Sequence, residues 1–182
     1  IMATNSGASF ITDGKFLYFT DIRTDEEKEK SKDGGPHTSI YKLDPTGGEA
    51  IKFLEFSYNF SLKKITDDYL IMSEAYDPIF DGYAEASEED RKKILDHKKE
   101  EDDYHVFDEI PFWSNGGGVT NKNRTRLAIY DLKTEKLNIV SDELTNCYYS
   151  DYKDGEILAV TERHRDKEPL TNEINIYDIK ED

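Results

Sequence analysis

Side chains capable of catalysis or metal binding are scattered along this sequence of 182 residues. The four histidines, His37, His97, His105 and His164, lie far apart and lack the spacing of metal ligands. We therefore expect each of them to be a surface residue, and the sequence predicts no metal site and no cofactor. The single cysteine, Cys147, precedes two tyrosines in a predicted strand, which favours a buried, inert thiol over a nucleophile.

Motifs for hydrolysis, phosphate binding and calcium binding are absent or incomplete. No Gly-x-Ser-x-Gly sequence occurs, so there is no nucleophile elbow, and we predict no catalytic residue. Three glycines at 116–118 lack the Lys-Ser/Thr ending of a phosphate loop, so we expect a flexible turn. The acidic run at 100–103 lacks the glycine and the spacing of a calcium loop, which indicates a solvated helix end.

The chain is strongly acidic, with 40 Asp and Glu against 24 Lys and Arg and a net charge of −16. Because such a charge repels phosphate backbones and anionic lipids, we expect neither nucleic acid nor a membrane as a partner. The acids either form a solubilising surface or create a field that attracts cationic ligands and free amino termini. No apolar run approaches the length of a membrane span and no signal peptide is recognised, so we expect a cytoplasmic protein.

An internal repeat organises the elements that would carry any site. A turn signal followed by an apolar run that ends in Ser or Thr occurs at residues 12–20, 66–73 and 153–161. An apolar alternation that reaches an Asp occurs at residues 39–44, 126–132 and 173–179. Further strands are predicted at 49–56 and 136–141, and the innermost strand of each unit at 3–9, 59–64 and 147–152.

The spacing of these segments predicts one unit repeated three times. Removing an insertion at about 76–120 leaves a period of about 45 residues, which is typical of propeller blades. We therefore predict an all-β fold, a partial β-propeller of about three four-stranded antiparallel blades with a helical insertion in the second blade. The blades are placed at about 1–56, 57–142 and 143–182, the last one incomplete. A β-sandwich is the alternative, but it does not predict the repeated order of Asp-Gly, Ile-Tyr and Asp.

The insertion contains a predicted helix. Ser87, with Asp90 three residues later, is typical of a helix N-cap. Residues 91–103 have few helix breakers, and Ile94 and Leu95 are their only strongly apolar side chains, so the helix is expected to be largely solvated. The insertion is either a surface excursion from a blade or a helix over the propeller face that limits access or binds a partner.

Residues 103–118, followed by residues 126–132, resemble a segment in the N-terminal propeller of prolyl oligopeptidase-family serine peptidases, in the acylaminoacyl-peptidase and dipeptidyl-aminopeptidase branch. The most specific part is the stretch Ile-Pro-Phe-Trp-Ser-Asn-Gly at 110–116. In that family an α/β-hydrolase domain with Ser, Asp and His follows the propeller, and nothing in these residues matches it. The resemblance therefore implies a non-catalytic propeller fragment, and a parent chain that is a serine peptidase, a hydrolase.

The resemblance also implies partners and a candidate site. Peptide substrates would be processed by the absent hydrolase domain, while the propeller screens them by size. The candidates for a substrate-channel or gating segment are Phe112, Trp113, Glu100 and Glu101. In the dipeptidyl branch acidic residues on a propeller helix hold the substrate's amino terminus, and Glu100 and Glu101 are similar to these in residue type alone.

Two other functions stay open at this point. A free-standing propeller that binds other proteins is the main alternative, and a self-sufficient enzyme is the third. Three blades are too few to close a ring, which typically needs at least four. The first and last blades would then expose sheet faces and edges, so we expect self-association through these open edges.

Overall fold

The computed structural model describes residues 9–101, 107, 109–110, 113–114, 118–165, 167 and 169–179. Within these residues the chain forms three antiparallel sheets of four, four and three strands, together with a two-stranded hairpin and two α-helices. In each of the three sheets the strands follow one another in chain order, apart from the insertion in the second. This arrangement confirms the predicted all-β partial propeller. The blade boundaries at 1–56, 57–142 and 143–182 stay a prediction.

The first sheet consists of β1 (Phe10–Thr12), β2 (Leu17–Thr20), β3 (Thr38–Leu43) and β4 (Ile51–Phe56) in that order. The Asp-Gly signal at its start forms the turn between β1 and β2. The Asp13 carboxylate accepts the backbone N–H groups of Lys15 and Phe16 at 2.8 and 2.7 Å, and Gly14 has a φ of 90°. Of the innermost strand predicted at 3–9, residues 3–8 lie outside the described residues.

The second sheet carries the insertion. Its strands β5 (Phe60–Ile65) and β6 (Tyr69–Tyr76) come before the insertion, which contains α2 (Glu88–Glu101) and the hairpin of β7 (Trp113–Ser114) and β8 (Gly118–Val119). Its strands β9 (Arg124–Asp131) and β10 (Lys136–Ile139) come after it. The Ser87 hydroxyl accepts the Asp90 N–H at 3.2 Å, which confirms the predicted N-cap, and no residue of α2 is buried.

The third sheet consists of β11 (Thr145–Lys153), β12 (Glu156–Arg163) and β13 (Glu173–Asp178). Asp154 and Gly155 connect β11 to β12 with φ values of 54° and 100°. Positive φ at both central residues is the geometry of a two-residue hairpin turn that matches the twist of the strands. The repeated Asp-Gly signal therefore has a structural role in the first and third sheets.

The core lies between successive sheets in two clusters. Leu70 and Met72 on β6 face the first sheet and pack with Tyr18 and Ile40. Ile71, which points to the opposite side of β6, packs with Ile157 of the third sheet. A strand in the middle of the stack therefore buries both of its faces, which explains why residues 69–72 are apolar without a polar alternation.

A second helix, α1 (Asp25–Lys32), connects β2 to β3 and was not predicted. Its Thr24 and Glu27 form a capping box, and Glu27 is fully buried. On the side of the first sheet that faces away from the second, Phe19 and Tyr41 are also buried, with their rings stacked at 6.1 Å. The expectation of an open face on the first sheet is therefore wrong for these side chains.

The third sheet, by contrast, exposes apolar side chains on the face that points away from the second sheet. Ile174 and Ile176 on β13 and Leu158 on β12 are exposed there, and Leu158 and Ile176 are register partners. None of the described helices is both long enough and apolar enough to cross a membrane.

Candidate functional site

Two open grooves lie on the side of the sheets from which the insertion leaves β6 at Tyr76 and returns to β9 at Arg124. We call this side the insertion face. The first groove has a volume of about 740 Å³ and is lined by residues of all three sheets, among them Ser39, Ser73 and Tyr148, and by His37 just before β3. The second groove has a volume of about 530 Å³ and lies between the second and third sheets. The two grooves share four lining residues, Asn59, Ala75, Thr125 and Tyr148, so they form one continuous depression.

The ends of β6 and β9 supply a buried ion pair below this depression. Glu74 and Arg126 are register partners, and the Arg126 guanidinium donates to both carboxylate oxygens, from Nε at 2.8 Å and from Nη2 at 3.1 Å. The guanidinium also lies 3.8 Å from the ring centroid of Tyr76. The two charges compensate each other, so this pair fixes the groove floor without offering a free charge to a ligand.

A serine and a histidine that line the first groove meet a carboxylate outside it, and the three have the order of a catalytic triad. His37 Nε2 lies 3.0 Å from Ser39 Oγ, and His37 Nδ1 lies 3.7 Å from Glu55 Oε1. This arrangement is the strongest support in the described residues for the self-sufficient enzyme considered above.

Burial argues against a nucleophilic role for Ser39. Its hydroxyl lies beside the Glu27 carboxylate, which also binds the Tyr41 hydroxyl and the Lys52 ammonium. Burial of the Glu27 carboxyl opposes its ionisation, but the N–H groups of Thr24 and Arg23 and the Lys52 ammonium outweigh burial and hold its pKa well below its usual range. Ser39 is also only 2% exposed. The three side chains therefore form a structural contact.

The second groove contains an ion pair that joins the insertion to the sheets. The Arg124 guanidinium donates to both oxygens of the Glu109 carboxylate, at 3.1 Å from Nη1 and at a shorter distance from Nη2. The Lys122 backbone N–H donates to the same carboxylate at 2.8 Å. Burial raises the pKa of Glu109, but Arg124 and the Lys122 N–H lower it by more, so the carboxylate is ionised at neutral pH.

A side-chain amide orients the histidine beside this pair. Asn146 Oδ1 accepts the Thr125 N–H at 2.9 Å, so Asn146 Nδ2 is the atom that donates to His164 Nε2 at 3.2 Å. His164 Nε2 is then an acceptor, and the ring proton of the neutral histidine lies on Nδ1. That atom faces the Glu109 carboxylate at 3.7 Å.

These contacts correct the expectation that all four histidines lie at the surface. His164 is buried, and the His37 side chain is almost fully buried, which lowers the pKa of His37 because burial disfavours the charged ring. His97 is exposed on α2, as expected, and His105 lies outside the described residues. Cys147 is buried in β11, and burial raises the pKa of its thiol, which agrees with an inert cysteine.

The residues predicted to gate a channel all belong to the insertion. Glu100 is exposed and Glu101 is half-buried at the end of α2, with Glu101 Oε1 3.4 Å from His97 Nε2. Trp113 is exposed in β7, and Phe112 lies outside the described residues. Their gating role stays a prediction. Among the described residues, no group of three or more His, Cys, Asp and Glu side chains is placed to hold a metal ion.

Comparison with solved structures finds a similar fold in acylaminoacyl peptidases. An orthorhombic crystal form of the Pyrococcus horikoshii acylaminoacyl peptidase matches 93% of this chain with a TM-score of 0.54 and 17% identity. An uncomplexed structure of that enzyme matches 93% with a TM-score of 0.52 and 16% identity. An acylaminoacyl peptidase in complex with Z-Gly-Gly-Phe-chloromethyl ketone matches 94% with a TM-score of 0.51 and 16% identity.

The chain spans about a quarter of the length of these proteins, 24%, 23% and 23% respectively. At this level of identity the comparison establishes a shared fold, and it agrees with the family that residues 103–118 resemble. No protein-family model matches the chain, and no curated protein matches it.

Proposed function

We propose that this chain is the N-terminal part of the propeller of a serine peptidase of the acylaminoacyl or dipeptidyl peptidase type. The observation that carries the proposal is the fold likeness, which extends over 93% of this chain and 24% of an acylaminoacyl peptidase. The Ile-Pro-Phe-Trp-Ser-Asn-Gly stretch at 110–116 supports the same family independently of the fold.

In this proposal the chain is non-catalytic and controls which peptides reach an α/β-hydrolase domain elsewhere in the parent protein. The grooves of the insertion face support such a role, because they are open and continuous across the three sheets. Trp113 exposes a large aromatic ring on the insertion, where an entering peptide would meet it. In this proposal Ser39 and His37 do not supply the hydrolytic chemistry, since Ser39 is only 2% exposed.

The test is the coding frame that contains this sequence. A downstream Gly-x-Ser-x-Gly on a strand–turn–helix element, followed by Asp and His, supports the proposal. A complete frame without that element overturns it. In parallel, the purified 182-residue chain should not react with a fluorophosphonate probe of serine hydrolases, and labelling at Ser39 would instead support a self-sufficient enzyme.

A free-standing interaction module is the second candidate. The exposed apolar face with Leu158, Ile174 and Ile176 favours it, because contiguous apolar surface often marks a protein-binding site. The same coding frame separates the two candidates, since an interaction module needs no hydrolase domain.

A further inference from the structure

Strand β5 is an edge strand that borders the first groove. It lies at the end of the second sheet and pairs with β6 along one side. Three of its residues, Phe60, Ser61 and Lys63, line the groove together with Asn59 just before the strand. Within the described part of the chain, no strand pairs with its other side. The N–H and C=O groups along such an open edge can accept an extended peptide as an additional strand.

The hydrogen bonds at the start of β5 show which backbone groups face the open edge. The Asn59 carbonyl accepts the Ala75 N–H at 2.9 Å, so the backbone groups of Asn59 point towards β6. These groups alternate between the two sides of a strand, so those of Phe60 and Leu62 point to the open edge. In agreement, the Phe60 N–H donates to Thr38 Oγ1 at 2.8 Å. The Phe60 carbonyl and both backbone groups of Leu62 are therefore the ones that a peptide strand would meet.

Two adjacent lysines give this edge a positive charge. Lys63 is the extra residue of a β-bulge, since the register of β5 with β6 shifts between Leu62 and Lys64. Both lysines are exposed, and neither forms an ion pair with another described residue. In a chain with a net charge of −16, two neighbouring cations without counter-charges favour a partner that carries carboxylates. Glu74 in the same groove does not compete for them, because Arg126 compensates its charge.

A second copy of this chain is a poorer occupant of the edge than an acidic peptide. Two β5 strands that paired about a two-fold axis would bring Lys63 and Lys64 of both copies together, and like charges oppose such pairing. Lysines and bulges on edge strands are typical devices against contact between copies. A short peptide with acidic side chains avoids this repulsion, and it needs only the few residues of β5 that precede the bulge.

We propose that the open edge of β5 binds a short extended peptide as an additional strand, with acidic side chains of the peptide beside Lys63 and Lys64. The backbone groups of Phe60 and Leu62 supply main-chain hydrogen bonds, and the two lysines select for carboxylates. Asp21 lines the groove from the end of β2, so the favoured carboxylates are those on the β5 side. The inference goes beyond the proposed function, because it concerns binding by this chain itself and does not depend on a hydrolase domain.

The first test measures affinity and its dependence on charge. We expect the 182-residue chain to bind the acetylated, amidated peptide Val-Glu-Val-Glu-Val about 10-fold more tightly than the same peptide with lysine in place of glutamate. The double variant K63E/K64E should reverse this preference. Lys136→Glu changes an exposed lysine on β10, the opposite edge strand of the same sheet, and is the matched control that should keep the wild-type preference. A wild-type chain that binds neither peptide, or a preference that K63E/K64E leaves unchanged, would overturn the proposal.

The second test separates strand addition from simple attraction to the lysines, and it uses the wild-type chain. A peptide strand on the open edge covers the Leu62 N–H, so amide hydrogen exchange at Leu62 should slow about 10-fold when the glutamate peptide is present at about 10 times its Kd. The Ser61 N–H points to β6 and is the internal reference, whose exchange should change little. Binding of the peptide without slower exchange at Leu62 would contradict the proposal.

Discussion

Glu74 and Arg126 face each other across neighbouring strands, and two hydrogen bonds of 2.8 and 3.1 Å join their side chains at the base of the insertion face. Both side chains are largely buried. Removal of one partner leaves a buried charge without compensation, which typically costs several kcal/mol, whereas removal of both is often close to neutral. The stability of the second sheet therefore depends on the same pair of side chains that forms the floor of the groove.

The first prediction concerns this pair. Arg126→Met should lower the free energy of unfolding by about 3–5 kcal/mol, because Glu74 is then buried without a counter-charge. The double variant with Glu74→Leu should recover most of this loss. The measurement is urea unfolding of the wild type, both single variants and the double variant. Losses that simply add in the double variant would show that the two side chains are not coupled.

The second prediction concerns the pH dependence of stability that Glu27 provides. The pKa of Glu27 in the folded chain lies well below the value of about 4.3 in an unfolded chain. A lowered pKa means that its contribution is fully present above the unfolded value and is lost as the pH falls from there towards the folded value. We expect Glu27→Gln to lose about 2–4 kcal/mol at pH 7 and to show a flatter decline below pH ~4.3 than the wild type.

Urea unfolding between acidic and neutral pH checks this. The control is Glu29→Gln, an exposed position on α1, which should follow the wild-type curve. Parallel curves for the wild type and E27Q below pH ~4.3 would show that another carboxyl group carries the acid sensitivity.

The third prediction concerns self-association, which we propose takes place through the exposed apolar face of the third sheet. Ile174 and Ile176 lie side by side in space on one face of β13, and an unpaired apolar sheet face favours contact between copies. We expect sedimentation velocity to show a concentration-dependent oligomer of the 182-residue chain, and the double variant I174K/I176K to be a monomer.

The control for this experiment is Leu170→Lys, a fully exposed position outside the strands that adds charge without altering the sheet face. It should associate like the wild type. A wild-type chain that stays monomeric at every concentration would contradict the prediction.

The fourth prediction concerns gating in the parent protein, which we propose for Phe112, Trp113, Glu100 and Glu101. Trp113→Ala should widen the entrance, so kcat/KM for longer peptides should rise a few-fold relative to that for short ones, since one side chain contributes about 1–3 kcal/mol to discrimination. Glu100→Gln and Glu101→Gln should weaken the binding of peptides with a free amino terminus more than the binding of acylated peptides.

Ile51→Ala, an exposed apolar position on β4, is the control for the tryptophan variant and should leave the preference for peptide length unchanged. Equal changes for short and long peptides in Trp113→Ala would argue against a gate at this position.

The repeat could be predicted from the sequence because the three sheets share a similar turn signal followed by an apolar strand. The Asp-Gly turns at 13–14 and 154–155 and the apolar runs of β2, β6 and β12 lie where the pattern predicted them. Helix α1 was missed although Thr24 and Glu27 have the spacing of a capping box. Its residues lack an apolar stripe, and the buried Glu27 makes only polar contacts, among them those with Tyr41 and Lys52.

The polar contacts of the insertion face could not be predicted in the same way. Glu109 and Arg124 are 15 residues apart on an irregular segment and a strand, and Asn146 meets His164 only because β11 and β12 pair in one particular register. Hydrophobic periodicity in the sequence indicates which face of a strand is apolar. It does not indicate which polar side chains from different segments come into contact. The histidines were for this reason assigned to the surface, whereas two of them are enclosed by groove residues.

The central claim is that this chain belongs to a serine peptidase, and hydrolysis by the full-length product of the coding frame tests it most directly. We predict that this product cleaves an N-acetylated amino-acid or dipeptide p-nitroanilide, and that replacing the serine of its Gly-x-Ser-x-Gly motif with alanine abolishes the activity. A folded full-length protein that cleaves neither class of substrate, or whose activity survives that replacement, would contradict the claim.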